Sequence, residues 1–174
     1  AAAAIHRTLT ETEGAVERSR VLFAYVDIKL AAGDIEDARA AVAELGEIAA
    51  AFDSPLLRAM VGYAHGSVLL ADGDPAAACV ALRRAWVAWH ELEAPYEAAR
   101  VRLQMARACS QLGDHDTAEM ELDAARSVFE KLAGEEREHL STLETRYKEL
   151  LSEDPDLESR PTFLFFKGAA NGLF

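Results

Sequence analysis

The stretch Leu70-Ala71-Asp72-Gly73-Asp74-Pro75-Ala76-Ala77-Ala78 decides the fold. Its Gly73-Asp74 pair stops one helix and starts another. The glycine supplies a left-handed residue just past the helix end, and the aspartate can accept from the free amides of a new first turn. Pro75 takes the first helical position, where a missing N–H costs nothing. The same pair stands 40 residues earlier as Gly33-Asp34 and 40 residues later as Gly113-Asp114. An alanine follows each aspartate at the fourth place: Ala38, Ala78 and Ala118. Other positions keep the same beat, among them Val21/Val61/Val101, Val42/Leu82/Leu122, Leu45/Ala85/Ala125, Phe52/Leu92/Leu132 and Pro55/Pro95. A period of this size with one turn at a fixed place means stacked helical hairpins, an all-α solenoid that presents surfaces to partners rather than catalytic pockets.

The helices can be placed from their ends. Val21, Tyr25, Ile28 and Leu30 follow helical spacing up to the stop at Gly33, a first-helix pattern called A below. The second helix, B, runs through Ala38, Val42, Leu45 and Phe52, and in the next unit through Ala78, Leu82, Ala85, Trp89 and Leu92. Ser54-Pro55 then opens the following helix A with a cap and a first-turn proline. The three anchor alanines are where the paired helices should come closest. This divides the chain into residues 1–14, the remnant of a helix B from a preceding unit; repeats at 15–53, 54–93 and 94–134; a capping helix at 135–152; and an irregular Phe-rich tail at 153–174. The phase predicts that the chain starts inside an array. The fourth unit is degenerate, because Glu158 stands where the anchor alanine is due.

Composition narrows the function. The 18 Lys+Arg against 30 Asp+Glu give a formal net charge of −12, so a nucleic-acid backbone would meet a repulsive field over most of the surface. No direct nucleic-acid binding by this segment is expected. Two cysteines, Cys79 and Cys109, each within an apolar helical stretch, fit a reducing compartment and read as buried, inert thiols. Without a leader-like start or a long uncharged apolar run, the expectation is a soluble, cytoplasmic segment without membrane contact.

The anchors resemble the tetratricopeptide pattern: a small residue mid-way along helix A (Val26, Gly66, Ala106), a Gly-Asp turn, and an alanine early in helix B. The helices are lengthened from that family's shorter unit. More narrowly, Ala24 to Asp34, the Ala-rich stretch from Ala40 to Ala50, Leu82-Arg83-Arg84-Ala85-Trp86 and Ala94 to Arg100 resemble the repeat region of LuxR family ATP-binding (MalT-like) transcription regulators. That likeness covers residues 1 to 133. It implies a parent protein with an N-terminal nucleotide-binding ATPase and a C-terminal helix-turn-helix, the repeats sensing inducers or partner proteins. The sequence holds no G-x-x-x-x-G-K-[ST] loop, so ATP hydrolysis is not assigned to these residues.

The tetratricopeptide resemblance also implies a concave groove lined by the A helices. The corresponding residues are Arg20, Phe23, Asp27, Met60, Tyr63, Ser67, Arg100, Leu103, Gln104, Arg107 and Gln111. Chaperone-binding members hold a C-terminal carboxylate with Lys and Asn where this chain has Phe23/Asp27 and Tyr63/Ser67, so that clamp is absent. In its place, Arg100 and Arg107 are expected to receive an acidic segment while Phe23, Met60 and Tyr63 hold apolar side chains. A solvated helix face with scattered charges is the alternative.

Other residues carry less chemistry. His6, His65, His90, His115 and His139 show no ligand spacing, and His90-Glu91 fails as H-E-x-x-H because position 94 is alanine. His65, beside Gly66, reads as core packing. Trp89 reads as packing between helices, and Trp86 as a more exposed aromatic open to a partner. The cluster Phe163 to Phe166 with Phe174 suggests a tail, 161–174, that folds back over an apolar face or supports self-association. No catalytic, cofactor-binding or metal constellation can be assembled. The expected function is therefore a non-catalytic scaffold for protein–protein interaction or signal sensing, within a LuxR-type regulator. A free-standing adaptor and a small-molecule sensor are the alternatives.

Overall fold

The computed structural model describes residues 2–153, and every regular element among them is a helix. In chain order these are α1 (Ala2–Glu11), α2 (Ala15–Ala32), α3 (Ile35–Phe52), α4 (Pro55–Ala71), α5 (Pro75–Glu91), α6 (Pro95–Gln111) and α7 (His115–Glu153). The A helices begin at residues 15, 55 and 95 and the B helices at 35, 75 and 115, so the 40-residue beat of the sequence is the register of the helices. Each of α1 to α5 packs on the next, and α4 also touches the neighbouring A helices α2 and α6. The chain is an all-α repeat solenoid of helix hairpins, as its period requires.

The Gly-Asp turns are near copies of one another. Gly33, Gly73 and Gly113 have φ of 81°, 82° and 81°, values that a side chain would resist. Behind each, the glycine and aspartate amides return to the helix: Gly73 N–H donates to Leu70 O at 3.2 Å and Asp74 N–H to Leu69 O at 3.0 Å. The caps are less uniform than the sequence implies. Asp74 Oδ1 accepts from the Ala77 amide at 2.9 Å and Asp114 Oδ1 from the Thr117 amide at 3.1 Å. Asp34 makes no such bond, because Lys29 Nζ draws its carboxylate away at 3.1 Å while also holding Asp37 at 2.6 Å. The Ser54 hydroxyl does not cap α4 either.

The turns from helix B to helix A use other chemistry. Asp53 and Glu93 take the left-handed conformation at φ 43° and 53°, and Pro55 and Pro95 then open α4 and α6. At the third such place the proline is replaced by Glu135, and α7 runs without a break to Glu153. The separate capping helix expected at 135–152 is thus corrected: it is the continuation of the third helix B. Nothing in Ala133-Gly134-Glu135 removes an amide from the helix ladder, so the helix has no reason to stop.

The described residues fall into two units that divide after Phe129. The first has a continuous core in which Leu22, Val26, Leu45, Leu82 and Val101 are fully buried. Ala38 and Ala78 are fully buried, while Ala118 is only half-buried. Gly62 and Gly66 bring α4 close to α5, facing Ala85 and Leu82. In the second unit the described residues are helical, and Leu140 and Leu143 are exposed. The Phe-rich tail, with the self-association expected through 161–174, lies outside the described residues.

Candidate functional site

The A helices meet at two levels with different contents. At the first level, Arg100 of α6 reaches across α4 to α2. It pairs with Asp27, donates to Tyr63 Oη at 3.3 Å and binds Glu97 at 2.6 Å, and its guanidinium lies over the rings of Tyr63 at 4.7 Å and Phe23 at 5.3 Å. Tyr63 also donates to Asp27 Oδ1 at 3.2 Å, and Phe23 meets Tyr63 edge to face. Burial opposes the charge on Arg100, yet the Tyr63, Asp27 and Glu97 oxygens outweigh it and hold the guanidinium pKa above the ordinary arginine value. Tyr63 is held above the usual phenol range, by burial first and by the Asp27 carboxylate second. This level is filled and internally neutralised.

One turn further along the same helices the space opens. A cleft with a volume of about 930 Å³ lies between α2, α4, α6 and the first turns of α7. Its wall is built of three stacked rows related by the repeat: Asp27/Ser67/Arg107, Leu30/Leu70/Ser110 and Ala31/Ala71/Gln111. Leu103 and Gln104 complete the α6 side, and His115, Glu119 and Leu122 supply the α7 side. Leucines give the cleft apolar area, and Gln104, Arg107, Gln111, His115 and Glu119 add polar groups around it. Arg107 is exposed, and the partner its Nη1 finds is Gln104 Oε1, at 3.3 Å. Ser67 is 4% exposed and its hydroxyl has no hydrogen-bond partner. A buried hydroxyl left this way costs free energy.

Two segments of the chain, residues 59–84 and 99–124, match the tetratricopeptide repeat. The chain contains a tetratricopeptide-like repeat region. Both matches straddle a Gly-Asp turn, taking in the helices that build the α4, α6 and α7 sides of the cleft. No curated protein matches the chain. Tetratricopeptide repeats are in general non-catalytic scaffolds for protein–protein contacts, and their stacked units form extended binding surfaces.

Of the groove residues read from the sequence of this tetratricopeptide-like region, Asp27, Ser67, Leu103, Gln104, Arg107 and Gln111 come together in the cleft. Met60 and Tyr63 are buried in the core, and Phe23 packs half-buried against it, near Tyr63 and Trp89. Arg20 is exposed on α2 away from the cleft. The expectation that Arg100 receives a partner's carboxylate is corrected, because Asp27 and Glu97 already occupy it. Leu30, Leu70, Ser110, Ala31 and Ala71 are missing from the groove residues read from the sequence, although the repeat marks them: each lies three or four residues after Asp27, Ser67 or Arg107.

The remaining singled-out residues divide as follows. Trp89 is buried, as expected. Trp86 is half-buried rather than open, with His90 stacked on it at 5.2 Å and the Arg102 guanidinium over its ring at 4.7 Å. His65 is exposed, which corrects its reading as core, since its position on α4 points away from the neighbouring helices. Cys109 is buried, but Cys79 is only half-buried, and the two sulfurs lie 3.9 Å apart. No helix among the described residues is long and apolar enough to cross a membrane.

Proposed function

We propose that the tetratricopeptide-like region is a cytoplasmic interaction scaffold whose cleft takes an extended segment of a partner protein. An acidic or carboxylate-bearing residue of that segment pairs with Arg107, backbone amides meet Gln104 and Gln111, and apolar side chains rest on Leu30, Leu70 and Leu103. The observation that supports this is the cleft itself: three repeat-related rows leave open volume, an exposed arginine and the unpartnered Ser67 hydroxyl on one wall. Stacked rows of this kind suit a chain lying across several helices. The likeness of residues 24–34, 82–86 and 94–100 to LuxR-type regulators supports a wider context, in which the region senses a signal within a transcription regulator. An adjoining reading frame that encodes an ATPase upstream and a helix-turn-helix downstream is the outcome that context requires.

A displayed library of extended peptides, panned on the protein, tests the cleft. Enriched peptides should combine acidic and apolar residues and lose at least about tenfold in affinity on Arg107→Glu, which corresponds to about 1.4 kcal/mol. Ala71→Trp, which fills the cleft from an exposed position, should abolish their binding, while Arg20→Glu should leave it unchanged. Peptides that bind all three variants equally would place the interaction elsewhere. The volume of about 930 Å³ also lies within the range of small-molecule pockets, which favours an effector sensor as the second reading. A metabolite that raises the melting temperature of the wild type but not of Ala71→Trp would support it.

A further inference from the structure

The two cysteines are separated by 30 positions in sequence, yet the fold brings Cys79 Sγ and Cys109 Sγ to 3.9 Å. Cys79 lies in the first turns of α5 and Cys109 in the last turn of α6, neighbouring helices of different repeats. The repeat itself does not demand this pairing. At the equivalent positions of the preceding α3 and α4 stand Arg39, bound at 2.9 Å to Asp72, and Leu69. Helix packing at this place is satisfied by unlike residues, so the dithiol is a local property of one interface. A disulfide needs its sulfurs at about 2.0 Å, an approach of about 2 Å that χ1 rotation and a small helix shift can supply.

We infer that Cys79 and Cys109 form an oxidisable dithiol that closes to an intramolecular disulfide under a hydroperoxide, pinning α5 to α6. The half-buried Cys79 is the sulfur an oxidant can reach. Its thiolate attacks the peroxide, cleaving the O–O bond. Cys79 becomes a sulfenic acid, and with the thiol proton the departing oxygen leaves as water when the peroxide is hydrogen peroxide. The buried Cys109 sulfur then attacks Cys79 Sγ. The S–S bond forms, the sulfenic hydroxyl departs, and the Cys109 proton joins it as a second water. Two thiols are oxidised by two electrons and one peroxide is reduced. Burial, together with the neighbouring Cys79 charge, pushes the Cys109 thiol up to about 11, which protects it from direct oxidation and leaves it to resolve the sulfenic acid.

The pin also bears on the cleft, because Cys109 O accepts from the Leu112 and Asp114 amides at the turn into α7, and Ser110 next to it lines the cleft. The chemistry nevertheless stands without any assumption about what the cleft binds. The test treats the full chain with a small excess of hydrogen peroxide and measures intact mass under denaturing, non-reducing conditions. The expected result is a monomer lighter by about 2 Da with no titratable thiol, restored to two thiols by dithiothreitol. Cys79→Ser and Cys109→Ser should each lose this product. A wild type that gains oxygen on Cys79 while Cys109 stays titratable, or that yields only disulfide-linked dimers, would overturn the inference. The wild-type mass alone suffices should either variant fail to fold.

Discussion

Gly66 of α4 faces Leu82 of α5 so closely that a Cβ on the glycine would stand 2.7 Å from Leu82 Cγ. Leu82 is fully buried and cannot swing aside, so the contact fixes how near the two helices of the second unit lie. Gly66→Ala should therefore destabilise the fold by about 1–2 kcal/mol, overpacking outweighing the better helix propensity of alanine. Gly46, inside α3, has nothing within 4 Å of the same added atom, and Gly46→Ala should stabilise by about 0.5–1 kcal/mol. Urea unfolding of both variants checks the opposite signs. Equal effects at the two sites would remove Gly66 from its role in setting the helix spacing.

Arg100 and Asp27 tie the first A helix to the third through Tyr63. Both side chains retain some solvent exposure, 20% and 33%, which lowers the cost of breaking the pair below that of a fully buried one. A double-mutant cycle with Arg100→Met and Asp27→Asn should give a coupling of about 1–2 kcal/mol. Arg100→Lys should not restore it, since an ammonium cannot serve Asp27, Glu97 and two aromatic faces together. A coupling near zero in urea melts would reduce the network to incidental contact.

What the sequence reveals here follows the range of the chemistry. Gly-Asp stops act over a few residues, so the helix boundaries and the period are legible in the sequence. The continuity of α7 is legible too, in the glutamate at 135 where 55 and 95 hold proline, a local sign that the period by itself does not carry. Arg100 and Arg107 share a helix face seven residues apart, and that spacing alone puts both in a groove. Only the side chains opposite distinguish them. Phe23, Met60 and Tyr63 fill the first level, whereas Ser67, Ala31 and Ala71 leave the second open. Cavity volume depends on four helices at once, and the pairing of Cys79 with Cys109 depends on packing between repeats. Neither follows from periodicity.

The three Gly-Asp turns should not respond alike to loss of the aspartate. Asp74→Ala and Asp114→Ala remove real caps and should each lower stability measurably, whereas Asp34→Ala should do so far less, since Asp34 caps nothing and Lys29 keeps Asp37. Hydrogen bonds from Thr117 hold the Asp114 carboxyl below its ordinary value. Its contribution is therefore complete above the unfolded-state value near 3.8 and is lost as the pH falls through the lower folded-state value. Acid unfolding followed by circular dichroism should show a difference between wild type and Asp114→Ala that closes below pH 3.8. A gap that persists unchanged at lower pH would mean the cap acts through something other than its charge.

The Cys109 thiol predicts a dependence at the alkaline end. Folding lifts its pKa from about 9 to about 11, chiefly by burial, so the folded chain holds a proton that the unfolded chain releases first. The stability that the neutral thiol contributes is present below pH 9 and drains away as the pH rises through about 11. Urea melts of wild type and Cys109→Ala at pH 8, 9.5 and 11 should show a wild-type advantage that narrows across that window. The same shift leaves on the order of a thousandth of Cys109 as thiolate at pH 8, so iodoacetamide should label Cys79 well before Cys109 in the folded protein and both at similar rates in urea. Equal labelling in the folded state would mean that Cys109 is neither shielded nor shifted, and the alkaline loss of stability would then have to come from the tyrosines and lysines.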